Sequence, residues 1–258
     1  MQQFLPIFPS VDVLLNLSNK LGVRMKLLLI SFILISQTVF AYDALVWGGP
    51  GACQDGCIDA AIYVTKLAGF DPMVVTPENF DPSMFESAKV WIQPGGKSGT
   101  ASNSMGVANR AFLKKFVADG GGYVGFCAGA FLTTPKVGQT SVTGLGIIPG
   151  ATKLYRKAKT YPSVEKMITP QGITYNYWEG GPWFSFTNSQ LAKVTVKSRY
   201  NTTNAINAVE TMYGNGRISV SGTHPEAPQW WYDDGHIIDT DGLDNQVAAD
   251  MVKWAAKN

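Results

Sequence analysis

Near its middle the chain reads Gly121-Gly122-Tyr123-Val124-Gly125-Phe126-Cys127-Ala128-Gly129-Ala130, a short apolar segment that runs into a cysteine between two glycines. A Gly-x-Cys-x-Gly pattern after a strand is typical of a nucleophile elbow, because the small flanking residues allow a sharp turn from strand into helix. Backbone N–H groups at the start of the next helix favour negative charge on the sulfur. The stretch therefore predicts a strand, a turn and a helix, with Cys127 as a nucleophile.

A matching base and acid occur later in the chain. His224 is one of two histidines, and it is followed by Pro225 and Glu226. Residues at i and i+2 of an extended segment point to the same side, so the Glu226 carboxylate can reach the imidazole of His224. A carboxylate on one ring nitrogen leaves the other nitrogen for the thiol. We therefore predict Cys127, His224 and Glu226 as a catalytic triad, and His236 as a solvated loop residue.

In the half of the chain that leads up to this elbow, apolar strands alternate with helices, which indicates an α/β fold with a parallel sheet covered on both faces. Loops 48–51 and 94–96 and Cys127 then fall at the carboxyl edge of the sheet, where such folds bind ligands. The second half of the chain is more β-rich. The predicted strands are 44–47, 73–75, 90–92, 123–126, 166–169, 173–175, 193–196, 205–212 and 217–220, and the predicted helices are 57–67, 107–117 and 245–256.

Size and charge restrict the class of protein. The 258 residues carry a formal net charge of only +2, with basic residues scattered along the chain. This distribution does not predict a nucleic-acid partner. Because no linker or repeat interrupts residues 42–258, we expect them to form one domain.

The first 41 residues are set apart from that domain. Met25 and Lys26 precede an apolar run over 27–40, and Ala41 ends a small-residue cleavage pattern. Residues 25–41 are predicted to be a signal peptide, and residues 1–24 an upstream extension without structure. An uncleaved anchor is the alternative, but the run is short for a membrane span. We expect a mature protein that starts near Tyr42, is periplasmic or secreted, and has no stable membrane insertion.

Three cysteines give an odd count. Cys53 and Cys57 are near enough in sequence to form a disulfide in an oxidising compartment, which would leave Cys127 as the free thiol. The alternative is that both are reduced and half-buried at a helix start. A metal site is not predicted, since two cysteines without nearby histidines are too few ligands.

Taken in order, these motifs resemble the family named for the N-terminal domain of biotin–protein ligases, within the class I glutamine amidotransferase-like superfamily. The resemblance implies a flavodoxin-like three-layer sandwich with a mostly parallel sheet. It implies the same nucleophile, base and carboxylate as above. The motifs that carry it are 46–51, 93–96, 120–130, 177–182 and 221–226.

The resemblance also implies an oxyanion hole at Gly95 and Gly96, completed by the N–H of Ala128. Four further residues of the motifs are predicted to contact substrate, where aromatic rings would form the wall of a groove. They are Gly49, Tyr177, Trp178 and Gly181.

One departure bears on function. Ala130 and Phe131 follow the elbow, where glutamine-hydrolysing relatives carry polar residues. We therefore predict a hydrolase of an amide or peptide-like C–N bond, acting through a thioester acyl-enzyme on a small-molecule or peptide-like substrate without a cofactor. Two alternatives remain: a non-catalytic ligand-binding domain of the same fold, and a thiol-based redox or aldehyde-handling protein that uses Cys127 alone. No protein partner or oligomeric state is predicted.

Overall fold

The computed structural model describes residues 42–155 and 162–257. The predicted extension 1–24 and signal peptide 25–41 lie outside the described residues. None of the described helices is both long and apolar enough to cross a membrane. Residues Tyr42–Asn258 form one compact unit.

Eleven strands of the described residues form one mixed sheet. They are β1 (Ala44–Trp47), β2 (Pro72–Val75), β3 (Val90–Gln93), β4 (Gly122–Phe126), β5 (Ala151–Leu154), β6 (Ser163–Thr169), β7 (Gly172–Trp178), β8 (Pro182–Ser185), β9 (Val194–Tyr200), β10 (Ile206–Tyr213) and β11 (Gly216–Ser221). The order is β2-β1-β3-β4-β11-β10-β9-β6-β7, and β8 pairs with both β5 and β10 off this path.

The helices of the described residues are α1 (Cys57–Leu67), α2 (Ser98–Asp119), α3 (Ala128–Leu132), α4 (Asn188–Leu191), α5 (Gln229–Asp234) and α6 (Asn245–Ala256), with a 3-10 turn at Pro82–Glu86. Helix α2 is broken at Gly106, whose φ of 72° and ψ of 172° are not helical. Sequence predicted only the part after this break, because the polar, glycine-containing residues before it resemble a loop.

The sheet has two regions that differ in direction. Strands β2, β1, β3, β4 and β11 pair in parallel, and we call them the parallel region. Strands β5–β10 pair only antiparallel, and we call them the antiparallel region. Two-residue connections such as Pro170-Gln171 force antiparallel pairing, because a parallel pair needs a longer crossover. The mostly parallel character predicted for the sheet therefore applies to five strands only, while the β-rich second half is confirmed.

Helices cover both faces of the parallel region. Ala44 and Val46 of β1 pack with α1 and α6 on one face. Leu45 and Trp47 point to the opposite face and pack with α2 and α3. Successive strand residues point to opposite faces, so a strand that is apolar throughout is buried on both sides. This arrangement leaves the carboxyl ends of β3 and β4 free to carry the loops of the candidate site.

Candidate active site

Cys127 occupies a strained turn at the end of β4. Its φ is 48° and its ψ is −100°, and positive φ is uncommon for a residue other than glycine. Its N–H donates to the carbonyl of Ser221 at 2.9 Å, which fixes the turn to the end of β11. Strain of this kind persists only where the surroundings enforce it, and it is frequent at functional sites.

The two glycines beside Cys127 let α3 cross close to the strands. A Cβ on Gly129 would lie 2.2 Å from the carbonyl oxygen of Gln93, and a Cβ on Gly125 would lie 2.6 Å from the carbonyl carbon of Gly129. Both contacts are too short for any side chain, so glycine is required at each position. The Gly-x-Cys-x-Gly pattern thus reflects packing around the turn as well as the turn itself.

His224 and Glu226 lie together at the end of β11. The His224 Nδ1 and Glu226 Oε1 atoms are 2.8 Å apart, and both side chains are buried. Burial alone would lower the pKa of His224, but the charges of Glu226 and Cys127 and hydrogen bonds to both residues raise it well above its usual value. The imidazole is therefore held between a carboxylate and the sulfur, with a proton available for transfer.

Neighbouring polar side chains fix the loop that carries this pair. The Nδ2 atom of Asn245, at the start of α6, donates to the carbonyls of Pro225 at 3.3 Å and Ala227 at 3.1 Å. The Nδ2 atom of Asn207 donates to Thr223 Oγ1 at 3.1 Å on the strand side. Because Asn245 and Asn207 hydrogen-bond to the loop on either side of His224, the imidazole has a defined orientation.

The Gly95-Gly96 loop packs directly against the imidazole. A Cβ on Gly95 would lie 2.6 Å from Cε1 of His224, so any side chain there would displace the ring. The Gly95 carbonyl accepts from the N–H of Cys53 at 3.0 Å. Gly96 has a φ of 134°, in the region that favours glycine. Ala128 is the first residue of α3, where N–H groups have no partner within the helix.

Cys53 and Cys57 form a disulfide in the structure, with Cα atoms 5.3 Å apart. It connects the loop after β1 to the first residue of α1. The Sγ atom of Cys57 lies 3.4 Å from the position that a Cβ on Gly95 would occupy. Cys127 is the free cysteine, and it is buried.

The end of β7 and the turn after it cover the Cys127 sulfur and the His224 ring. The Tyr177 carbonyl accepts from the His224 N–H at 2.8 Å, and the Cys127 thiol donates to the Glu179 carbonyl at 3.5 Å. The Tyr177 hydroxyl donates to Glu179 Oε2 at 3.1 Å. Burial, followed by the charge of Glu179, raises the pKa of Tyr177, so this phenol stays protonated and remains a donor.

Three of the residues predicted to contact substrate are not among the described residues that line the cavities beside Cys127. Trp178 is fully buried among Tyr155, Met167 and Tyr200, away from the cavity. Gly49 is buried, and a Cβ there would meet the Trp47 ring at 2.5 Å. At Gly181 a Cβ would lie 1.6 Å from the Gly222 carbonyl oxygen, so this glycine permits close backbone approach. Tyr177 alone of the four predicted residues lies on the cavity wall.

Two clefts meet at Cys127. The first, which we call the aromatic cleft, has a volume of about 500 Å³ and includes His224, Tyr177, Trp230 and Trp231 in its wall. The second, which we call the polar cleft, has a volume of about 540 Å³ and includes Ser98, Thr100, Gln139 and Thr140. The residues common to both walls are Gly96, Lys97, Cys127 and Glu179.

Sequence reasoning missed the two charged residues at this junction. Lys97 directly follows the Gly95-Gly96 loop, and Glu179 lies within a motif that was singled out for its aromatic residues. The sequence feature that could have identified Lys97 as a site residue was its position directly after the predicted oxyanion-hole glycines. Within the residues that the structure describes, no three His, Cys, Asp or Glu side chains are grouped so as to hold a metal ion.

Comparison with known proteins gives one family match. Residues 43–143 match the family described as biotin-protein ligase, N terminal. The resemblance predicted from the motifs is confirmed over this segment, which includes Gly95, Gly96 and Cys127. His224 and Glu226 lie beyond it. No curated protein matches the chain.

Several solved structures resemble the fold. The cytoplasmic protein STM1381 from Salmonella typhimurium LT2 has a TM-score of 0.54 and 10% identity over 83% of this chain and 100% of its own. A GH42 beta-galactosidase from G. stearothermophilus has a TM-score of 0.48 and 12% identity over 77% of this chain. This chain spans only 31% of the galactosidase. At these identities the likeness concerns the fold alone.

Proposed function

We propose, from the match of residues 43–143 to the biotin-protein ligase N-terminal family and from the site beyond it, that the protein is a Cys-His-Glu hydrolase. It cleaves an amide or peptide-like C–N bond through a thioester on Cys127. The observation that carries this proposal is the His224 imidazole, buried between Glu226 Oε1 at 2.8 Å and Cys127. Such a chain of nucleophile, base and orienting acid is the arrangement that acyl-transfer enzymes use.

Acylation begins with attack of the Cys127 sulfur on the carbonyl carbon of the substrate. The Glu226 carboxylate stabilises the protonated imidazole and fixes its tautomer. The N–H groups of Gly96 and Ala128 are the donors proposed for the developing oxyanion, where glycine lets the backbone approach closely. When the C–N bond breaks, His224 gives its proton to the leaving amine.

Deacylation uses the same groups in the reverse order. Water attacks the thioester carbonyl while His224 takes its proton, the C–S bond breaks, and the carboxylic acid leaves. The buried Tyr177 ring lies 5.9 Å from the imidazole, centroid to centroid, at an interplanar angle of 80°. It limits access of water to the ring from that side.

Two further features belong to the proposal. The order β2-β1-β3-β4-β11 is that of a flavodoxin-like sheet, and helices on both of its faces fit the three-layer sandwich. A periplasmic or secreted location is supported by the Cys53–Cys57 disulfide, because such bonds persist mainly in oxidising compartments.

The test is a screen with electrophilic amides and esters on the wild type and on Cys127→Ala, read by intact mass. We expect one acyl group per wild-type chain, located on Cys127, and none on the variant. Equal melting temperatures control for folding. Absence of an acyl adduct on Cys127 with every probe would favour a binding domain. Labelling of Cys127 only by oxidants or aldehydes would favour the redox alternative.

A further inference from the structure

The two clefts give the candidate site space on both sides of its nucleophile. The aromatic cleft and the polar cleft have similar volumes, about 500 and 540 Å³, and they meet at Cys127. A hydrolase that releases ammonia needs a pocket for the acyl part alone. Two clefts of this size fit a substrate that has a substantial group on each side of the scissile bond.

The position of His224 indicates which half of the substrate each cleft binds. A leaving amine takes its proton from the general acid, so it must lie within reach of the imidazole. In the described part of the chain, His224 is in the wall of the aromatic cleft and not in that of the polar cleft. The amine half of the substrate therefore belongs in the aromatic cleft, and the acyl half in the polar cleft.

The charge and the rings of the aromatic cleft define the amine further. Among the described residues, the three carboxylates of Asp55, Asp234 and Glu179 line it, against two positively charged groups, Lys97 and the protonated imidazole of His224. Trp230 is 47% exposed at the wall, and its ring is nearly perpendicular to that of Trp231. Carboxylates beside accessible indole rings favour a cationic group on an apolar stem.

We propose that the aromatic cleft binds the leaving amine of a secondary amide, and that this amine carries a second, protonated nitrogen on an alkyl stem. The proposal rests on the proposed function. In the forward step the S–C bond forms, the C–N bond breaks, and the proton of His224 goes to the departing nitrogen. In the reverse step an amine attacks the thioester, the C–S bond breaks, and its proton goes to His224.

The reverse step supplies the test, because the site that releases an amine also accepts one. The wild type is acetylated on Cys127 with p-nitrophenyl acetate. Ammonia, propylamine or 1,3-diaminopropane is then added at equal concentration of neutral, nucleophilic amino groups, at a pH where the other nitrogen of the diamine is protonated. Mass spectrometry of the products measures amide formation against hydrolysis. We expect transfer to 1,3-diaminopropane to exceed transfer to propylamine at least about tenfold, and transfer to ammonia to be the slowest.

Variants in the two clefts locate this preference. Asp234→Asn should reduce the advantage of 1,3-diaminopropane over propylamine. Trp230→Ala should reduce transfer to both alkylamines while leaving transfer to ammonia unchanged. Thr140→Val, in the polar cleft, is the matched control and should leave the order of amines unchanged. Melting temperatures check that each variant is folded.

The outcomes separate this proposal from the one it rests on. If p-nitrophenyl acetate does not acetylate Cys127, the hydrolase itself is contradicted, and this inference with it. If Cys127 is acetylated but the three amines react at equal rates, or if Trp230→Ala transfers to both alkylamines as fast as the wild type does, only the assignment of the aromatic cleft is overturned. A change in amine preference confined to Thr140→Val would exchange the roles of the clefts and likewise contradict it.

Discussion

The parallel and antiparallel regions contribute to the candidate site in different ways. The parallel region supplies Cys127, which is the proposed nucleophile, the Gly95-Gly96 loop and, just after β11, His224. The antiparallel region supplies a cover, formed by the end of β7 and the turn after it. The Tyr177 carbonyl of this cover accepts from the backbone N–H of His224, and its Glu179 carbonyl accepts from the Cys127 thiol. Under the proposed function, the first region supplies the reacting groups, and the second limits what reaches them.

Their contact near the site consists largely of backbone and buried polar groups. The Gly181 and Gly222 backbones touch, and the Asn176 side chain of β7 donates to Asp244 Oδ2 at 2.5 Å, just before α6. The backbone contact can adjust little to a larger side chain, because a backbone, unlike a side chain, cannot relieve a clash by adopting another rotamer. Changes at this junction should therefore have larger effects than changes confined to one region.

At neutral pH, the largest effect on stability is expected for Gly181→Ala. Its Cβ would lie 1.6 Å from a backbone oxygen, so the cover must move away from β11. We expect the free energy of unfolding to fall by about 3 kcal/mol, at the upper end of ordinary overpacking. Urea denaturation measures it.

Gly99→Ala in α2 is the matched control for that change. A Cβ at Gly99 meets only the end of the Val142 side chain, at 3.8 Å. Alanine in a helix should stabilise by up to about 1 kcal/mol. Equal stability of the two variants would mean that the regions are not held together at Gly181.

Burial of the Asp244 carboxyl group, whose pKa the hydrogen bond from Asn176 lowers only in part, predicts a dependence of stability on pH. Burial, with smaller contributions from Asp239 and Asp241, raises the pKa of Asp244 from 3.8 to about 7. Between these values the folded chain holds a proton that the unfolded chain loses, so stability falls as pH rises from about 4 to about 7. The slope is at most about 1.4 kcal/mol per pH unit.

Denaturation midpoints of the wild type and Asp244→Asn, measured from pH 4.5 to 7.5, check this effect. An amide keeps an acceptor for Asn176 and does not titrate, so the difference between the two proteins should change over this range. If the denaturation midpoints of the two proteins change with pH in parallel, the proton on Asp244 does not stabilise the contact between the regions.

The smallest effect is expected for the disulfide, which lies wholly within the parallel region. The bond closes a short loop, so Cys53→Ser combined with Cys57→Ser should lower the free energy of unfolding by about 2 kcal/mol. Thiol titration of the unfolded, non-reduced protein should find one thiol, that of Cys127. Three titratable thiols would mean that the bond is absent.

The two regions also differ in how well the sequence predicted them. Helices α1 and α6 have the predicted bounds, because apolar residues recur at helical spacing and each helix has a clear end. Strands β5 and β8 and helices α4 and α5 were not predicted. They are short, and the pairing partners that stabilise them are distant in sequence, so local pattern gives little signal.

The candidate site shows the same limit at the level of single residues. Motif order was sufficient to predict that Cys127, His224 and Glu226 would lie together. Motif order could not show which of Tyr177 and Trp178 faces the site. Neighbours in a strand point to opposite faces, and only the fold decides that Tyr177 faces His224 while Trp178 faces the core. The clefts likewise form from segments far apart in the chain, so Lys97 and Glu179 gave no joint signal.

The most direct measurement of the central claim is the rate at which p-nitrophenyl acetate acylates Cys127 in the wild type and in Glu226→Gln. The variant keeps the size of the buried side chain but loses the charge that stabilises the protonated imidazole of His224. If Glu226 stabilises the imidazolium as proposed, Glu226→Gln is acylated at least about a hundredfold more slowly, with an unchanged melting temperature. Acylation of Glu226→Gln at the wild-type rate would contradict the triad and the hydrolase that depends on it.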